Sequence, residues 1–263
     1  MISKATIGGS KIFKYAVVRK PGPDFAQGIT TSNLGTPSYE LIVEQHSAYI
    51  ETLRSLGLEV IVLDHLLGYP DAYFVEDIAV VTPDVAIITN PGAESRRGEV
   101  ETIASTLVEY RETLHIEAPG TVDGGDVLMV GTDSYIGISD RTSREGAEQA
   151  ANILEAYRYT CTMVPVLSGL HLKSGVNYVG QNALLLTEAY ADLDQFRQYD
   201  KIVVNESEGH AANTLLINNS LITPKGFPKT REKLLALDVN IIELDVSEVR
   251  KMDGSLTCMS LRF

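Results

Sequence analysis

The sequence predicts an α/β fold in which a β-hairpin, a helix and a further strand recur five times around a closed ring. Three observations carry this. The same order of elements returns along the whole 263 residues. One unit is shared between the two ends of the chain, and closing a ring removes exposed sheet edges. No cluster of Gly, Pro and Ser marks a linker, so residues 1–263 form a single domain in this reading. The same elements could also be laid out as an open α/β sheet.

Each unit has its own local justification. In the shared unit, residues 257–262 and 13–19 supply the hairpin-like pair, 39–56 the helix and 59–63 the strand. The next has strands at 78–81 and 85–89 around Thr82-Pro83-Asp84, since Pro and Asp favour turns. Its helix spans 98–111, with Val100, Ile103, Leu107 and Tyr110 on one face, and a strand follows at 114–117. The third pairs 126–130 with 134–138, then Ser143 caps a helix to about 158 and 161–166 is a strand. The fourth takes 177–187 as the hairpin, 190–199 as helix and 201–204 as strand. In the fifth, 214–217 and 221–223 flank Asn218-Asn219-Ser220, a helix runs over 230–237 and a strand over 239–244.

Composition excludes more than it names. The hydrophobic fraction of 44% is that of a globular protein. Apolar runs such as 60–63 fall far short of the ~20 residues that cross a bilayer. Residues 1–4 show no apolar stretch behind a basic start, so a cytoplasmic location is expected. Two cysteines, Cys161 and Cys258, are too few for a disulfide framework and read as free thiols. The net charge of −13 argues against nucleic acid and is compatible with a cationic ligand.

A ring makes the loop after each unit's last strand equivalent, and such loops converge at one end of the axis. They are 64–77, 118–125, 167–176, 205–213 and 246–256. At or beside them lie Glu76, Asp77, Asp123, His171 and Cys258. A thiol needs a lowered pKa or a neighbouring base to attack near neutral pH, and histidine is the usual partner. A carboxylate, Asp123 or Asp126, would orient that histidine. Paired acids such as Glu76 and Asp77 suit a planar guanidinium, which donates bidentate hydrogen bonds. Each residue also has a plainer reading: a cysteine as small core filler, a histidine or acid as a solvated surface group, Asp-Gly-Gly-Asp as a tight turn.

Taken together and in order, Phe74-Val75-Glu76-Asp77, Asp123-Gly124-Gly125-Asp126, His171-Leu172-Lys173-Ser174 and Thr257-Cys258-Met259-Ser260 resemble the motifs of dimethylarginine dimethylaminohydrolases. These belong to the guanidino-group-modifying superfamily, with arginine deiminases and amidinotransferases. The resemblance runs from about Phe13 to Phe263 and implies a five-bladed α/β propeller with pseudo-fivefold ββαβ repeats.

It also implies roles. Cys258 would attack the guanidinium carbon, His171 would protonate the leaving amine and then activate water, and Asp123 would orient His171; some relatives carry Glu at that place. Asp77 would grip the guanidinium with Glu76 in support, and Phe74 would wall the alkyl chain. Asp71 matches another substrate-contacting acid. Arg96 and Arg141 match a pair that holds the α-carboxylate, for which a planar fork is suited. Phe25 and Met252 would add main-chain contacts near the α-amino group. Residues 20–38, rich in Gly, Pro, Thr and Ser without helical or strand period, would form a lid. The implied reaction converts asymmetric dimethylarginine or monomethylarginine to citrulline and an alkylamine through a thiouronium intermediate. The substrate is already an electrophilic cation, so no cofactor and no metal is expected. Neither cysteine has Cys-x-x-Cys or His-x-x-x-His neighbours. An edge-to-edge homodimer is compatible with the family. The alternatives are an arginine deiminase or other guanidino-modifying activity, and a non-catalytic propeller that binds cationic amino acids.

Overall fold

Antiparallel pairs followed by a parallel return strand organise residues 13–263, which are those the computed structural model describes; residues 1–4, read above for an export signal, lie outside them. The first blade contains β1 (Tyr15–Arg19), the helix α1 (Tyr39–Ser55) and β2 (Glu59–Leu63). The second has β3 (Ala79–Val81), β4 (Val85–Ile88), α2 (Val100–Leu107) and β5 (Glu112–His115). The third has β6 (Val127–Val130), β7 (Asp133–Ile138), α3 (Arg144–Ala156) and β8 (Thr160–Pro165). After the single turn α4 (Leu172–Gly175) come β9 (Val176–Gly180), β10 (Ala183–Thr187) and β11 (Asp200–Val204). The fifth has β12 (Leu215–Ile217), β13 (Ser220–Pro224), α5 (Pro228–Leu234) and β14 (Asn240–Leu244). The short α6 (Ser247–Arg250) leads to β15 (Leu261–Arg262), which pairs antiparallel with β1.

The result is five three-stranded sheets: β15-β1-β2, β3-β4-β5, β6-β7-β8, β9-β10-β11 and β12-β13-β14. In each the second strand is central, antiparallel to the first and parallel to the third. A strand covered on both faces should read as a continuous apolar run, and β4 and β13 are buried at every position. The return strands β2, β5, β8, β11 and β14 alternate less sharply and stay half-buried, as outer strands do. First strands of neighbouring blades adjoin, β3 beside β15 and β9 beside both β6 and β12. Backbone bonds between Tyr15 and Phe263 join the two ends of the chain. This is a five-bladed α/β propeller of ββαβ repeats. The expected ring, not an open sheet, is what forms.

Local chemistry explains the elements that matched. Gln181 and Asn182 both have positive φ (49° and 58°), the geometry of a two-residue hairpin whose twist suits β9 and β10. Ser143 caps α3, its hydroxyl accepting from Gly146 N–H.

Four expectations are corrected. Residues 190–199 form no α-helix: the segment holds two 3₁₀ turns, Glu188–Tyr190 and Asp194–Phe196, separated by extended Leu193 (φ −69°, ψ 127°). Both Tyr190 and Phe196 are fully buried. Six residues apart on one helix they would point roughly 120° away from each other, so the break lets both rings reach the same core. The helix predicted over 98–111 is shorter at both ends, with 3₁₀ geometry over Glu94–Glu99. Its return strand begins two residues earlier than the pattern suggested. The strand predicted over 257–262 shrinks to Leu261–Arg262, because neighbouring side chains and a distant amide claim the backbone before it. Thr257 N–H goes to Asn213 Oδ1, Thr257 C=O to Arg262, and Cys258 C=O to the Glu76 N–H. Among the described residues no helix is long and apolar enough to cross a membrane.

Candidate active site

Four of the five predicted loops meet at one cavity of about 400 Å³, open space at its mouth included. Its wall includes Asp71, Phe74 and Asp77 from the first loop, Asp123 from the second and His171 from the third. Met252, Asp253 and Gly254 come from the last, beside Cys258. Thus the sulfur and the imidazole, 87 positions apart by subtraction of their numbers, face one space.

His171 stands at the N-cap of α4, and this fixes its direction. Its Nε2 lies 2.9 Å from Asp123 Oδ2 and its Nδ1 3.7 Å from Asp77 Oδ1. Burial alone would favour neutral imidazole. The charge of Asp77, the hydrogen bond to Asp123 and the nearby charge of Asp126 outweigh burial and raise the pKa to about 9. Burial also pushes Asp123 upward, but the His171 bond and charge hold it below the usual carboxylate range. At neutral pH the site therefore keeps an imidazolium against a carboxylate.

The thiol is the opposite case. Burial, then the charges of Glu76 and Asp77, drive Cys258 up to about 12, against smaller pulls from the Ser255 backbone and the Thr257 hydroxyl. At rest the sulfur carries its proton.

The paired glycines of Asp-Gly-Gly-Asp are required by close approach. A Cβ on Gly124 would sit 2.1 Å from Glu76 O, and one on Gly125 would sit 2.7 Å from both Asp77 Oδ1 and His171 Nδ1. The Gly125 N–H also donates to Asp77 Oδ1 at 3.1 Å. Asp126 is the alternative orienter considered for the histidine, but it bonds to no ring atom. It accepts from Leu172 N–H at 2.8 Å and from the Ser139 and Thr142 hydroxyls, so it anchors the turn carrying His171 and the loop carrying Arg141.

Several predicted contacts are placed differently. Arg96 does line the cavity, but its guanidinium is engaged internally: 2.5 Å to Asp77 Oδ2, 2.8 Å to Glu99 Oε2, and bonds to the carbonyls of Asp71 and Phe74. Asp77 thus already holds a guanidinium, the protein's own. Arg141 lines the same wall and has no side-chain partner among the described residues, which leaves it free for an anionic group. Glu76 does not reach the cavity. It turns beneath Cys258 and accepts from Lys173 (2.7 Å) and Arg262 (2.8 Å), both brought near by distant segments. Phe25 is also absent from the wall; its ring packs against Tyr73 and Tyr39 in the core, and Ile29, four residues on, lines the cavity instead. Asp71 is near the mouth, where both its oxygens accept from the Ile29 N–H. Phe74 faces the cavity, its ring tilted against that of Tyr73 with the centroids 4.0 Å apart.

The sequence reading missed Leu170, Asp253 and Gly254 on the wall, and Asn213, Lys173 and Arg262 behind it. All but Arg262 had a signal, since they lie in loops already marked as convergent, and Lys173 also lies in the His171–Ser174 motif. The 20–38 segment lies against this mouth: Asp253 accepts from Thr31 N–H, and Glu248 from Ser38 N–H. Asp77, Asp123 and His171 each offer a ligand atom within 4.8 Å of one another, a spacing a cation could bridge.

The chain is similar to known proteins over nearly its whole length. Residues 33–262 match the family model described as N,N dimethylarginine dimethylhydrolase, eukaryotic. The N(G),N(G)-dimethylarginine dimethylaminohydrolase of Pseudomonas aeruginosa is 43% identical over 254 residues, covering 96% of this chain and 100% of that protein. A solved structure of that organism's enzyme, a cysteine-to-serine variant complexed with citrulline, superposes with a TM-score of 0.94 at 43% identity, covering 96% of this chain and 100% of the other. A histidine-to-glycine variant of a dimethylarginine dimethylaminohydrolase, as its adduct with S-methyl-L-thiocitrulline, gives 0.93 at 43% identity with the same coverage. With matches of this extent, the chain belongs to the dimethylarginine dimethylaminohydrolase family.

Proposed function

We propose that this chain hydrolyses Nω-methylated arginine, asymmetric dimethylarginine or monomethylarginine, to citrulline and dimethylamine or methylamine. The observation that carries this is one cavity lined by a thiol, an imidazolium, four aspartates and an arginine, Arg141, with no side-chain hydrogen bond among the described residues. Asp77 takes the substrate guanidinium and Arg141 the α-carboxylate. For that, Arg96 must yield Asp77 at least in part, and Glu99 remains as its partner. Phe74 walls the alkyl chain; Asp71 and the backbone near Ile29 and Met252 define the α-amino end.

Chemistry follows from the resting charges. A cation seated on Asp77 offsets the negative field that holds the Cys258 proton, so the thiol ionises as substrate binds, its proton leaving to solvent. The thiolate adds to the guanidinium carbon. His171 gives its proton to the alkylamine nitrogen, the C–N bond breaks, and a thiouronium remains on sulfur. Neutral His171 then takes a proton from water, the hydroxide adds to the same carbon, and C–S cleavage with loss of the new hydroxyl's proton to the departing sulfur releases citrulline and the thiol. His171 carries the proton transfers to the departing amine and from the arriving water, and no cofactor takes part. Residues 20–38 act as a lid that keeps water from the first step, the enzyme works as one catalytic domain in the cytoplasm, and two copies pair as a homodimer.

The test is citrulline release from asymmetric dimethylarginine and from arginine, measured side by side. Turnover of the methylated substrate, abolished in Cys258→Ser with binding retained, is expected. Equal or faster turnover of arginine would overturn the substrate assignment, and turnover surviving Cys258→Ser would overturn the covalent route.

A further inference from the structure

The 205–213 loop is the one convergent loop that adds nothing to the cavity wall. It ends at Asn213, buried at 4% exposure, and Asn213 reaches the residue next to the nucleophile, Thr257, buried at 2%. We propose that Thr257 is a hydrogen-bond donor to the Cys258 thiolate and that Asn213 is the positioning residue that aims it.

The argument is one of donors and acceptors. Asn213 Oδ1 accepts from the Thr257 backbone N–H at 3.0 Å, and Asn213 Nδ2 donates to the Lys173 carbonyl at 3.1 Å. A backbone N–H only donates and a carbonyl only accepts, so the amide has one possible orientation. Its Nδ2 also lies 3.1 Å from Thr257 Oγ1, which must therefore accept. The hydroxyl keeps its own proton to place elsewhere. The Lys173 carbonyl is not available, since it already receives Asn177 Nδ2 at 2.7 Å in addition to Asn213. Among the described residues the acceptor it can meet is Cys258 Sγ, 4.0 Å from Thr257 Oγ1. The Ser255 backbone N–H also bonds to the sulfur. Two neutral donors thus serve an anion that the charges of Glu76 and Asp77 oppose. The assignment rests on the covalent mechanism proposed above, and deepens it.

Thr257→Val keeps the shape and removes the hydroxyl; Thr257→Ser keeps the hydroxyl. Losing one bond to a charged acceptor raises the thiol pKa by about one unit. Because a more basic thiolate is intrinsically more nucleophilic, alkylation of Cys258 by iodoacetamide at pH 8 then slows about threefold rather than tenfold. Peptide-resolved mass spectrometry separates it from Cys161. In the same variant kcat for citrulline release should fall by about the same threefold with KM little changed, since the donor acts on the reacting sulfur alone. Thr257→Ser should recover most of both rates. Alkylation as fast in Thr257→Val as in the parent overturns the proposal, as does Thr257→Ser being as slow as Thr257→Val. If the valine variant does not fold, Thr257→Ser against Thr257→Ala makes the same comparison in equally loosened packing. A parent enzyme that releases no citrulline, while alkylation still tracks the hydroxyl, sinks the hydrolase reading and leaves the donor in place.

Discussion

His171 sits between two carboxylates, Asp123 at 2.9 Å from Nε2 and Asp77 at 3.7 Å from Nδ1, and this clasp makes it a cation at rest. Removing one side should be visible directly. In Asp123→Asn the imidazole should titrate well below its parent midpoint of about 9, read from its ring resonances by NMR. With the proton donor no longer oriented, kcat should fall about a hundredfold. A midpoint that stays put would mean that Asp123 does not hold the imidazolium.

Asp77 acts on the sulfur as well as the ring. Because its charge helps to push the thiol up to about 12, Asp77→Asn should speed iodoacetamide alkylation of Cys258 while citrulline formation is lost. In the parent enzyme alkylation should keep rising between pH 7 and pH 10 with no plateau, as a thiol titrating near 12 requires. A plateau below pH 9 would contradict the resting protonated thiol.

Gly125 has no space for a side chain. Its added Cβ would meet Asp77 Oδ1 and His171 Nδ1, both at 2.7 Å, so Gly125→Ala must displace one side of the clasp. Turnover should drop by about a hundredfold, since small misplacements of reacting groups cost this much. Retained activity with an unshifted His171 titration would show that the loop gives way without consequence.

Stability should peak near neutral pH, for two opposite reasons. His46 and His210 are pushed down to about 4 by burial, with Arg250 adding to the effect on His210. The unfolded chain therefore takes up protons first, and stability is lost as pH falls from about 6.5 towards 4. His171 has the other sign: its folded pKa of about 9 lies above the ordinary 6.5, so its contribution is full below 6.5 and lost as pH rises through 9. Thermal unfolding from pH 4.5 to 9.5 should show both flanks, and His46→Phe should flatten the acid one. An acid flank unchanged in that variant would remove His46 as its cause.

Much of the architecture is legible without coordinates. The hairpin at 82–84 and the cap at Ser143 are decided by a few adjacent residues, and the structure keeps both. The 190–199 helix fails because two buried rings, Tyr190 and Phe196, need the same core and a regular helix would separate them. In the site, the motif residues Cys258, His171, Asp123, Asp77 and Phe74 do meet. Phe25 does not, because within an aperiodic loop no pattern tells which of Phe25 and Ile29 faces inward.

The sequence by itself determined the repeated order of elements, the closure of the ring through its two ends, and which motif residues line one cavity. Those follow from periodicity, turn residues and motif order, which are local along the chain. Only the tertiary structure decided that Arg96 grips Asp77, that Glu76 turns away to Lys173 and Arg262, and that Asn213 stands behind Thr257. Each of these joins segments distant in sequence, and which way a side chain turns there depends on the donors and acceptors that packing brings within hydrogen-bond reach.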